Sequence, residues 1–557
     1  MSESTVKRWA PSRNVLTMLV ALWLMLSINL PFWRSVWQGV GGMSNDSLLF
    51  LLSLPLFVWI WLYVLLSLLA WGRLTKPVLA LLVLVSAAAS YFMNSYGIVI
   101  DYNMLTNVMQ TDSAEAMELF NLRLLLWLLL LGAVPAVLIS RAPVKPLKWR
   151  RELAGKLGSM AVLVGVFAVL VMSQYQPYAS LIRNHREVRL MLVPSNVVAA
   201  VHGYLKRELA APAVLEVVGA DAHRISAAGS THRPRVTVLV VGETARAANF
   251  SLNGYARLTN PELAQREVIN FPQATSCGTA TAVSVPCMFQ NVGRADYKDS
   301  MAGNREGMLD VLQRAGVDVL WRDNNSGCKG ACDRVPTEDV SHLNLAPFCV
   351  DGECHDEALL HNLQAYLDGL TRDTVVVLHM KGSHGPAYFK RYPAAFERFT
   401  PVCKEVQLDR CDTTSIVNAY DNSLLYTDHV LAATIDLLRS NAARLDTAML
   451  YLSDHGESLG EHGMYLHGVP YAMAPSEQTH IPMLLWFSDG MQRSSGISAE
   501  CLRQQAGQPV SQDNLFHSVI GLMGVRTAVY QPQLDIFRGC TPATVAQQVK
   551  SSELRVD

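Results

Sequence analysis

The chain has 557 residues, of which 50% are hydrophobic, and its formal net charge at pH 7 is −1. This length is too great for one ordinary domain. The balanced charge, without a basic tail, a low-complexity run or an internal repeat, gives no indication of nucleic-acid binding.

Five long apolar segments occupy the first third of the chain. They cover residues 14–33, 47–71, 77–93, 122–140 and 157–174. An α-helix needs about 20 residues to cross about 30 Å of hydrocarbon, so we predict a transmembrane domain of five helices over residues 1–174. A cleavable signal peptide is the alternative for the first segment, but no small-residue cleavage site follows it.

Positive charges are distributed unevenly between the loops. They precede the first span and lie between the second and third and between the fourth and fifth spans: Lys7, Arg8, Arg13, Arg73, Lys76, Arg141, Lys145, Lys148, Arg150, Arg151 and Lys156. Because Lys and Arg are retained in cytoplasmic loops, we predict a cytoplasmic N-terminus. Five spans then place everything after residue 174 on the other side of the membrane.

All ten cysteines lie beyond the spans, as sequential neighbours: Cys277/Cys287, Cys328/Cys332, Cys349/Cys354, Cys403/Cys411 and Cys501/Cys540. Their even number and their compartment favour disulfides, and local pairing is the simplest arrangement. The sequence allows many other connectivities. Zinc binding by thiolates is the alternative, for which the spacing of Cys328 and Cys332 is acceptable.

A connector over residues 175–232 joins the membrane domain to the rest of the chain. Arg183, Arg186 and Arg189 recur at every third position in it. On a helix these cations lie near one face, which predicts an amphipathic helix on the lipid headgroups. A helix face exposed to solvent is the alternative.

Residues 233–557 form a predicted α/β domain. Apolar, β-branched runs predict strands at 236–240, 317–321, 374–380, 448–453 and 481–487, and helical patterns lie at 307–315, 357–370 and 418–440. Continuous apolar strands that alternate with helices predict an α/β sandwich with a mainly parallel sheet. Ligands of such folds bind at the carboxyl ends of the strands.

Acidic and imidazole side chains follow three of these strands. Glu243 follows the first, His379 and His384 follow the third, and Asp454 and His455 follow the fourth. Zinc suits this mixture of oxygen and nitrogen ligands, and manganese is the alternative. Each residue also has a structural interpretation, such as a helix-terminal charge, a cap or a surface imidazole. Their joint placement favours a metal site.

The segment 277–287 carries three candidate nucleophiles. A bridge between its terminal cysteines would present Thr279, Thr281 and Ser284 on a rigid loop. A hydroxyl group is a poor nucleophile at neutral pH, but coordination to a metal lowers its pKa. Spacing alone does not choose among the three.

These motifs resemble those of a known family. Residues 242–244, 277–287, 383–386 and 453–457, with the loop 97–104, strongly resemble the membrane phosphoethanolamine transferases. The likeness is to the lipid A phosphoethanolamine transferases, which include the mobilised colistin-resistance enzymes. It covers nearly the whole chain.

The resemblance implies an alkaline-phosphatase/sulfatase-like soluble domain and a set of site residues. The implied nucleophile is Thr281, and the implied ligands of one tightly bound Zn²⁺ are Glu243, Thr281, Asp454 and His455. His384 and His467 are implied to bind the phosphoryl group or a second zinc ion. Asn325 and Lys329 lie in a segment that resembles the family's substrate pocket.

The resemblance also implies the reaction and its location. Phosphatidylethanolamine is the implied donor, a phosphothreonine-type group the intermediate and a phosphate of lipid A the acceptor. Polymyxin resistance follows from the reduced negative charge of the outer surface. The implied location is the inner membrane of a Gram-negative bacterium, with the catalytic domain in the periplasm, and we expect a monomer.

Other functions share part of this pattern. The same chemistry could act on a core heptose or a periplasmic glucan. A sulfatase or a lipoteichoic-acid-type glycerol-phosphate transferase is disfavoured by the threonine loop, and the sulfatase signature Cys/Ser-x-Pro-x-Arg does not occur. A non-enzymatic alternative is a membrane sensor or scaffold with a metal-stabilised domain.

Overall fold

A computed structural model describes residues 10–39, 48–111, 113–145, 148–174, 178, 188, 190–209, 214–224, 233–343, 345–350 and 352–541. The chain divides into two compact units, the first being Met1–Val108 with Ala114–Leu209 and the second Met109–Ser113 with Ala210–Asp557. Arg183, Arg186 and Arg189 of the predicted connector helix lie outside the described residues. The boundaries 174 and 232 remain predictions.

Helices make up the N-terminal part of the chain. Their bounds are Arg13–Trp23, Leu24–Ile28, Leu30–Gly39, Leu48–Leu69, Gly72–Leu74, Thr75–Tyr96, Tyr102–Gln110, Ser113–Glu118, Leu122–Trp127, Leu128–Ala133, Val134–Arg141, Trp149–Ser173 and Ser195–Glu208. Within the described residues, four helices are long and apolar enough to cross a membrane, and a bent pair, Arg13–Ile28 with Leu30–Trp37, gives a fifth span if it is counted as one.

The first predicted span is bent rather than straight. The pair of helices meets at 62° on either side of Asn29. The side-chain amide of Asn29 donates to the carbonyls of Leu24 and Val193 and accepts from the Val193 N–H at 2.8 Å. Pro31, which has no N–H, follows in the first turn of the next helix. These tertiary hydrogen bonds and the proline explain a bend that the hydropathy does not reveal.

An eight-stranded sheet forms the centre of the second unit. Its strands are β1 Arg235–Gly242, β2 Ile269–Thr275, β3 Asp318–Asp323, β4 Thr337–Asp339, β5 Thr374–His379, β6 Asp446–Ser453, β7 His480–Phe487 and β8 Val510–Ser511. Their order is β8-β2-β7-β6-β1-β5-β3-β4. All pairs are parallel except those of β7, which runs antiparallel to β2 and β6.

Short strands pair outside this sheet: His223–Arg224 with Val525–Arg526, Cys349–Val350 with Glu353–Cys354, and Ser458–Leu459 with Tyr465–Leu466. The α-helices of the unit are Thr281–Met288, Gly293–Asp296, Met308–Arg314, Leu363–Asp368, Thr413–Ser440, Ser476–Thr479, Asp489–Ser495, Ala499–Gln505 and Asp513–Leu522. They cover both faces of the sheet, because alternate residues of β1 belong to two different apolar clusters.

The predicted α/β sandwich is confirmed, and so is the mainly parallel sheet. All five predicted strands are present, but the fifth, β7, is antiparallel. The predicted helix 357–370 is wrong as one element. It consists of a 3₁₀ turn, Asp356–Leu360, and the helix Leu363–Asp368, separated at Asn362, whose φ of 57° lies in the left-handed region.

Disulfides join the ten cysteines in the five sequential pairs. The sequence separation ranges from 4 residues for Cys328–Cys332 to 39 for Cys501–Cys540. A bridge restricts the unfolded chain more strongly when it closes a longer loop. The last bridge should therefore stabilise the folded state most.

We expect replacement of Cys501 and Cys540 by serine to lower the free energy of unfolding by about 4 kcal/mol, against about 2 kcal/mol for the Cys328 and Cys332 pair. The midpoints of thermal unfolding in detergent should differ in the same order. Thiol titration of the denatured, unreduced wild-type protein should find no reactive thiol. Four or more free thiols in active protein would contradict the bridges.

Candidate active site and metal centre

The site lies at the carboxyl ends of β1 and β6, which are neighbouring parallel strands. Their register pairs Gly242 with Ser453. Glu243 and Asp454, the next residue of each strand, therefore leave the sheet side by side. Both side chains are buried, at 1% and 0% exposure, as is that of His455.

Glu243, Asp454 and His455 form a candidate metal-binding set, whose ligand atoms all lie within 4.8 Å of one another. Asp454 Oδ1 accepts from the N–H groups of Thr244 and His455, at 3.1 and 2.7 Å, but Oδ2 has no hydrogen-bond partner. His455 Nδ1 donates to the Gly456 carbonyl at 2.9 Å, which leaves the Nε2 lone pair free for a metal. The unpaired oxygen and the free nitrogen fit a cation.

The pKa values of the three groups also favour the binding of a cation. Burial, reinforced by Asp454, raises the pKa of Glu243 to about 8, and burial raises that of Asp454 to about 6. Burial, reinforced by His467, lowers the pKa of His455 to about 4. The imidazole is therefore neutral, as a ligand must be, and a cation between the carboxylates would offset their repulsion.

The candidate nucleophile begins a helix. The disulfide Cys277–Cys287 spans a short loop and the following helix, Thr281–Met288. Ala280 precedes this helix in an extended conformation, and Thr281 is its first residue. Anionic groups are favoured at this end of a helix, because the first backbone N–H groups have no intrahelical partner.

Thr281 is the hydroxyl residue of this loop that faces the metal ligands. Its Oγ1 lies 3.0 and 3.2 Å from the two carboxylate oxygens of Glu243 and 3.4 Å from His455 Nε2. The hydroxyl group donates to the carboxylate, so it lies beside the same donor atoms that fit a cation.

The two other hydroxyl candidates hold the loop together. Thr279 Oγ1 donates to the Val469 carbonyl at 2.7 Å. Ser284 Oγ accepts from the Gly278 N–H at 2.8 Å. The geometry therefore favours Thr281 among the three residues that the sequence left open.

His467 lies between the other two predicted imidazoles. Its ring centroid is 4.3 Å from that of His455 and 5.5 Å from that of His384. Burial lowers the pKa of His467 to about 4, and burial together with His467 lowers the pKa of His384 well below its ordinary value. Both rings are therefore neutral near pH 7 and able to donate hydrogen bonds to an anionic group.

Asn325 and Lys329 follow β3. Asn325 Nδ2 donates to Glu243 Oε2 at 2.8 Å and to the Met380 carbonyl at 2.9 Å. Asn325 thus contacts a candidate metal ligand directly. Lys329 has a φ of 53°, and its Nζ donates to the carbonyl and the hydroxyl of Ser326 at 2.8 and 2.9 Å.

Two further buried acidic residues of the site, Glu457 and Asp323, were not predicted from the sequence, and each contacts an imidazole. His467 Nδ1 lies 3.3 Å from Glu457 Oε1. Behind Asn325, His379 Nδ1 lies 2.9 Å from Asp323 Oδ2. Burial opposes both charges of this pair, but their attraction raises the pKa of His379 and lowers that of Asp323 to about 2. The position of Asp323 as the last residue of β3 was the available signal.

Comparisons with known proteins agree with this geometry. The family described as phosphoethanolamine transferase EptA/EptB matches residues 58–209, and the sulfatase family matches residues 235–525. Phosphoethanolamine transferase EptA of Escherichia coli (strain K12) is 44% identical over 535 residues, which cover 95% of this chain and 98% of the relative. Phosphatidylethanolamine transferase Mcr-1 of Escherichia coli is 38% identical over 494 residues, covering 86% and 90%.

A solved structure extends the likeness to the whole fold. The integral membrane protein lipooligosaccharide phosphoethanolamine transferase A (EptA) of Neisseria meningitidis has 39% sequence identity and a TM-score of 0.92, covering 96% of this chain and 99% of that one. The predicted combination of a helical membrane domain and an alkaline-phosphatase/sulfatase-like domain is therefore confirmed. The chain belongs to the phosphoethanolamine transferase family.

Proposed function

We propose that this protein transfers phosphoethanolamine from phosphatidylethanolamine to a phosphate of lipid A, by a zinc-dependent reaction through a covalent intermediate on Thr281. The observation that carries the proposal is the position of the Thr281 hydroxyl, within 3.4 Å of Glu243 and His455 at the buried donor set. The transferase names of the relatives support the reaction type. A sensor or scaffold would need no such hydroxyl.

The residues that would hold a tightly bound zinc ion are Glu243, Asp454 and His455, with the Thr281 hydroxyl as a further ligand. Two carboxylates and an imidazole suit zinc better than calcium or magnesium, which prefer oxygen alone. Bound zinc lowers the pKa of a hydroxyl group and offsets negative charge on a phosphoryl group.

In the first step, Thr281 Oγ1 attacks the phosphorus of phosphatidylethanolamine. The bond from phosphorus to the glycerol oxygen breaks, the hydroxyl proton leaves Thr281, and the departing diacylglycerol takes up a proton. In the second step, an oxygen of a lipid A phosphate attacks the same phosphorus. The bond to Thr281 breaks, and Thr281 Oγ1 takes up the proton that the attacking phosphate hydroxyl releases.

The chain's own groups stabilise charge on the transferred group in both steps. The free N–H groups at the start of the helix Thr281–Met288 favour the anion. The neutral rings of His384 and His467 would donate hydrogen bonds to its oxygens, and Lys329 would supply a positive charge. These contributions are electrostatic, and they require the residues to be in position around the phosphoryl group before the reaction begins.

The location that fits this reaction is the inner membrane of a Gram-negative bacterium, with a cytoplasmic N-terminus and the catalytic domain in the periplasm. Both substrates are lipids, so the spans bring the catalytic domain to the surface that holds them. Added amines reduce the negative charge of lipid A and hence its attraction for polymyxins.

The acceptor can be identified directly. Lipid A from cells that contain the chain should gain the mass of phosphoethanolamine, and lipid A from cells without it should not. The measurement is mass spectrometry of extracted lipid A. An unchanged lipid A with modified core heptose or periplasmic glucan would assign a different acceptor to the same chemistry.

Replacement of Thr281 by alanine should reduce transfer by at least about 10³-fold, because the attacking oxygen is lost. Folding and zinc content should change little, since three ligands remain. The measurements are transfer to lipid A, elemental analysis and the intact mass after incubation with the donor lipid. Thr279→Ala, which removes a hydroxyl bonded to Val469, is the matched control, and its protein should still gain the phosphoethanolamine mass. Wild-type transfer by Thr281→Ala would place the nucleophile elsewhere.

Asp454→Asn should lower zinc affinity and transfer together. The amide keeps the shape of the side chain but has no charge, and changes outside the ligand shell already weaken metal binding by about 10–100-fold. Chelator competition followed by elemental analysis measures the affinity. Asp428→Asn, a buried carboxylate that accepts from the N–H groups of Glu262 and Leu263, should retain zinc. Full zinc without activity in Asp454→Asn would show that this residue contacts substrate instead.

A further inference from the structure

Gln512 is a buried glutamine between β8 and the helix Asp513–Leu522, and its exposure is 1%. Its Oε1 accepts from the backbone N–H of Cys277 at 2.6 Å. Its Nε2 donates to the backbone carbonyls of Ser453 and Asp454, at 2.7 and 2.8 Å. The side-chain amide of Gln512 thus forms hydrogen bonds with its oxygen and with both of its N–H hydrogens, and these bonds reach two separate loops.

The two loops carry the reacting groups of the proposed function. Cys277 begins the bridged segment that leads to Thr281, whereas Ser453 ends β6 and is followed by the candidate metal ligands Asp454 and His455. These loops follow β2 and β6, which are not neighbours, because β7 lies between them. The hydrogen bonds of the sheet therefore do not join the two strand ends directly, whereas Gln512 does.

The hydrogen bonds of Gln512 end on backbone atoms. A hydrogen bond to a side chain would orient that side chain alone. The bonds of Gln512 to the Cys277 N–H and to two consecutive carbonyls instead fix the path of the backbone in both loops. Thr281 follows Cys277 by four residues within a loop closed by a disulfide. A displacement of the backbone at Cys277 would therefore carry the Thr281 hydroxyl with it.

We propose that Gln512 is a positioning residue for the transfer reaction, which sets the separation between Thr281 and the ligand pair Asp454 and His455. The proposal rests on the function proposed for these residues. Thr281 Oγ1 lies 3.4 Å from His455 Nε2, so a shift of about 1 Å would separate the hydroxyl from the donor set. Displacements of this size lower reaction rates by about 100-fold.

The test compares full-length wild-type protein in detergent with Gln512→Met, which keeps the length of the side chain and removes its hydrogen bonds. Intact-mass spectrometry follows the first turnover with phosphatidylethanolamine. We expect Thr281 to be modified about 100-fold more slowly at saturating donor, with an unchanged half-saturating donor concentration. Zinc content should remain full, and the melting temperature should stay above the assay temperature.

Gln407→Met provides a matched control. Gln407 is also a buried glutamine, 4% exposed, but lies in the loop of the Cys403–Cys411 disulfide. The rate at which Thr281 is modified in Gln407→Met should equal that of the wild type. If Gln512→Met yields no folded protein, Gln512→Asn replaces it, since an amide that is one methylene shorter cannot reach both loops, and the same slowing is expected.

Hydrogen exchange supplies a readout that is independent of turnover. In metal-free Gln512→Met, the Cys277 amide, which has lost its acceptor, should exchange faster than in the wild type. Exchange at Cys277 unchanged from the wild type would overturn the proposed contact.

The kinetic outcomes separate the positioning role from the proposed function. Equal rates of Thr281 modification in wild type and Gln512→Met, per folded molecule, would overturn the positioning role alone. An equal decrease in the rate of Thr281 modification in Gln407→Met would also overturn the positioning role, because general destabilisation would then explain both decreases. A wild type that transfers phosphoethanolamine without modifying Thr281 would overturn the proposed nucleophile itself.

Discussion

The central constraint on this protein is the burial of two carboxylates at the ends of neighbouring parallel strands. Glu243 and Asp454 leave β1 and β6 at paired positions, inside the domain and away from solvent. Burial raises the pKa of both groups, and repulsion from Asp454 raises that of Glu243 further, so the pair is unfavourable when both carboxylates are charged without a cation between them. A divalent cation would remove this conflict.

The polar groups around the carboxylates fix their orientation. Asn325 and Thr281 donate to Glu243, and two backbone N–H groups donate to one oxygen of Asp454. The Nδ1 hydrogen bond of His455 fixes which of its ring nitrogens is free. The donor atoms of Glu243, Asp454 and His455 therefore lie close together and are held there by hydrogen bonds within the protein. Such preorganisation is the main source of electrostatic catalysis, because no reorganisation is needed during the reaction.

The sequence predicted the site residues that follow strands directly, but not the residues that join one strand end to another. Glu243 and Asp454 were visible because an apolar strand ends in a charged residue, and this depends only on local order. Gln512 acts across the sheet, so its role depends on strand order and register, which local patterns do not contain. The same limit applies to Asn29, where partners distant in the sequence bend a helix that hydropathy predicts to be one span.

The nucleophile loop shows how a local ambiguity is resolved by the fold. Three residues with hydroxyl groups lie close together in it, and the spacing of the sequence does not distinguish which of them is the nucleophile. Thr279 is used to bond Val469 and Ser284 to bond Gly278, so both fix the shape of the loop. Thr281 is the hydroxyl residue that remains directed at the candidate metal ligands. Thr279 and Ser284 therefore stabilise the loop, and under the proposed function the placement of Thr281 on folding would reduce the entropy lost in the reaction.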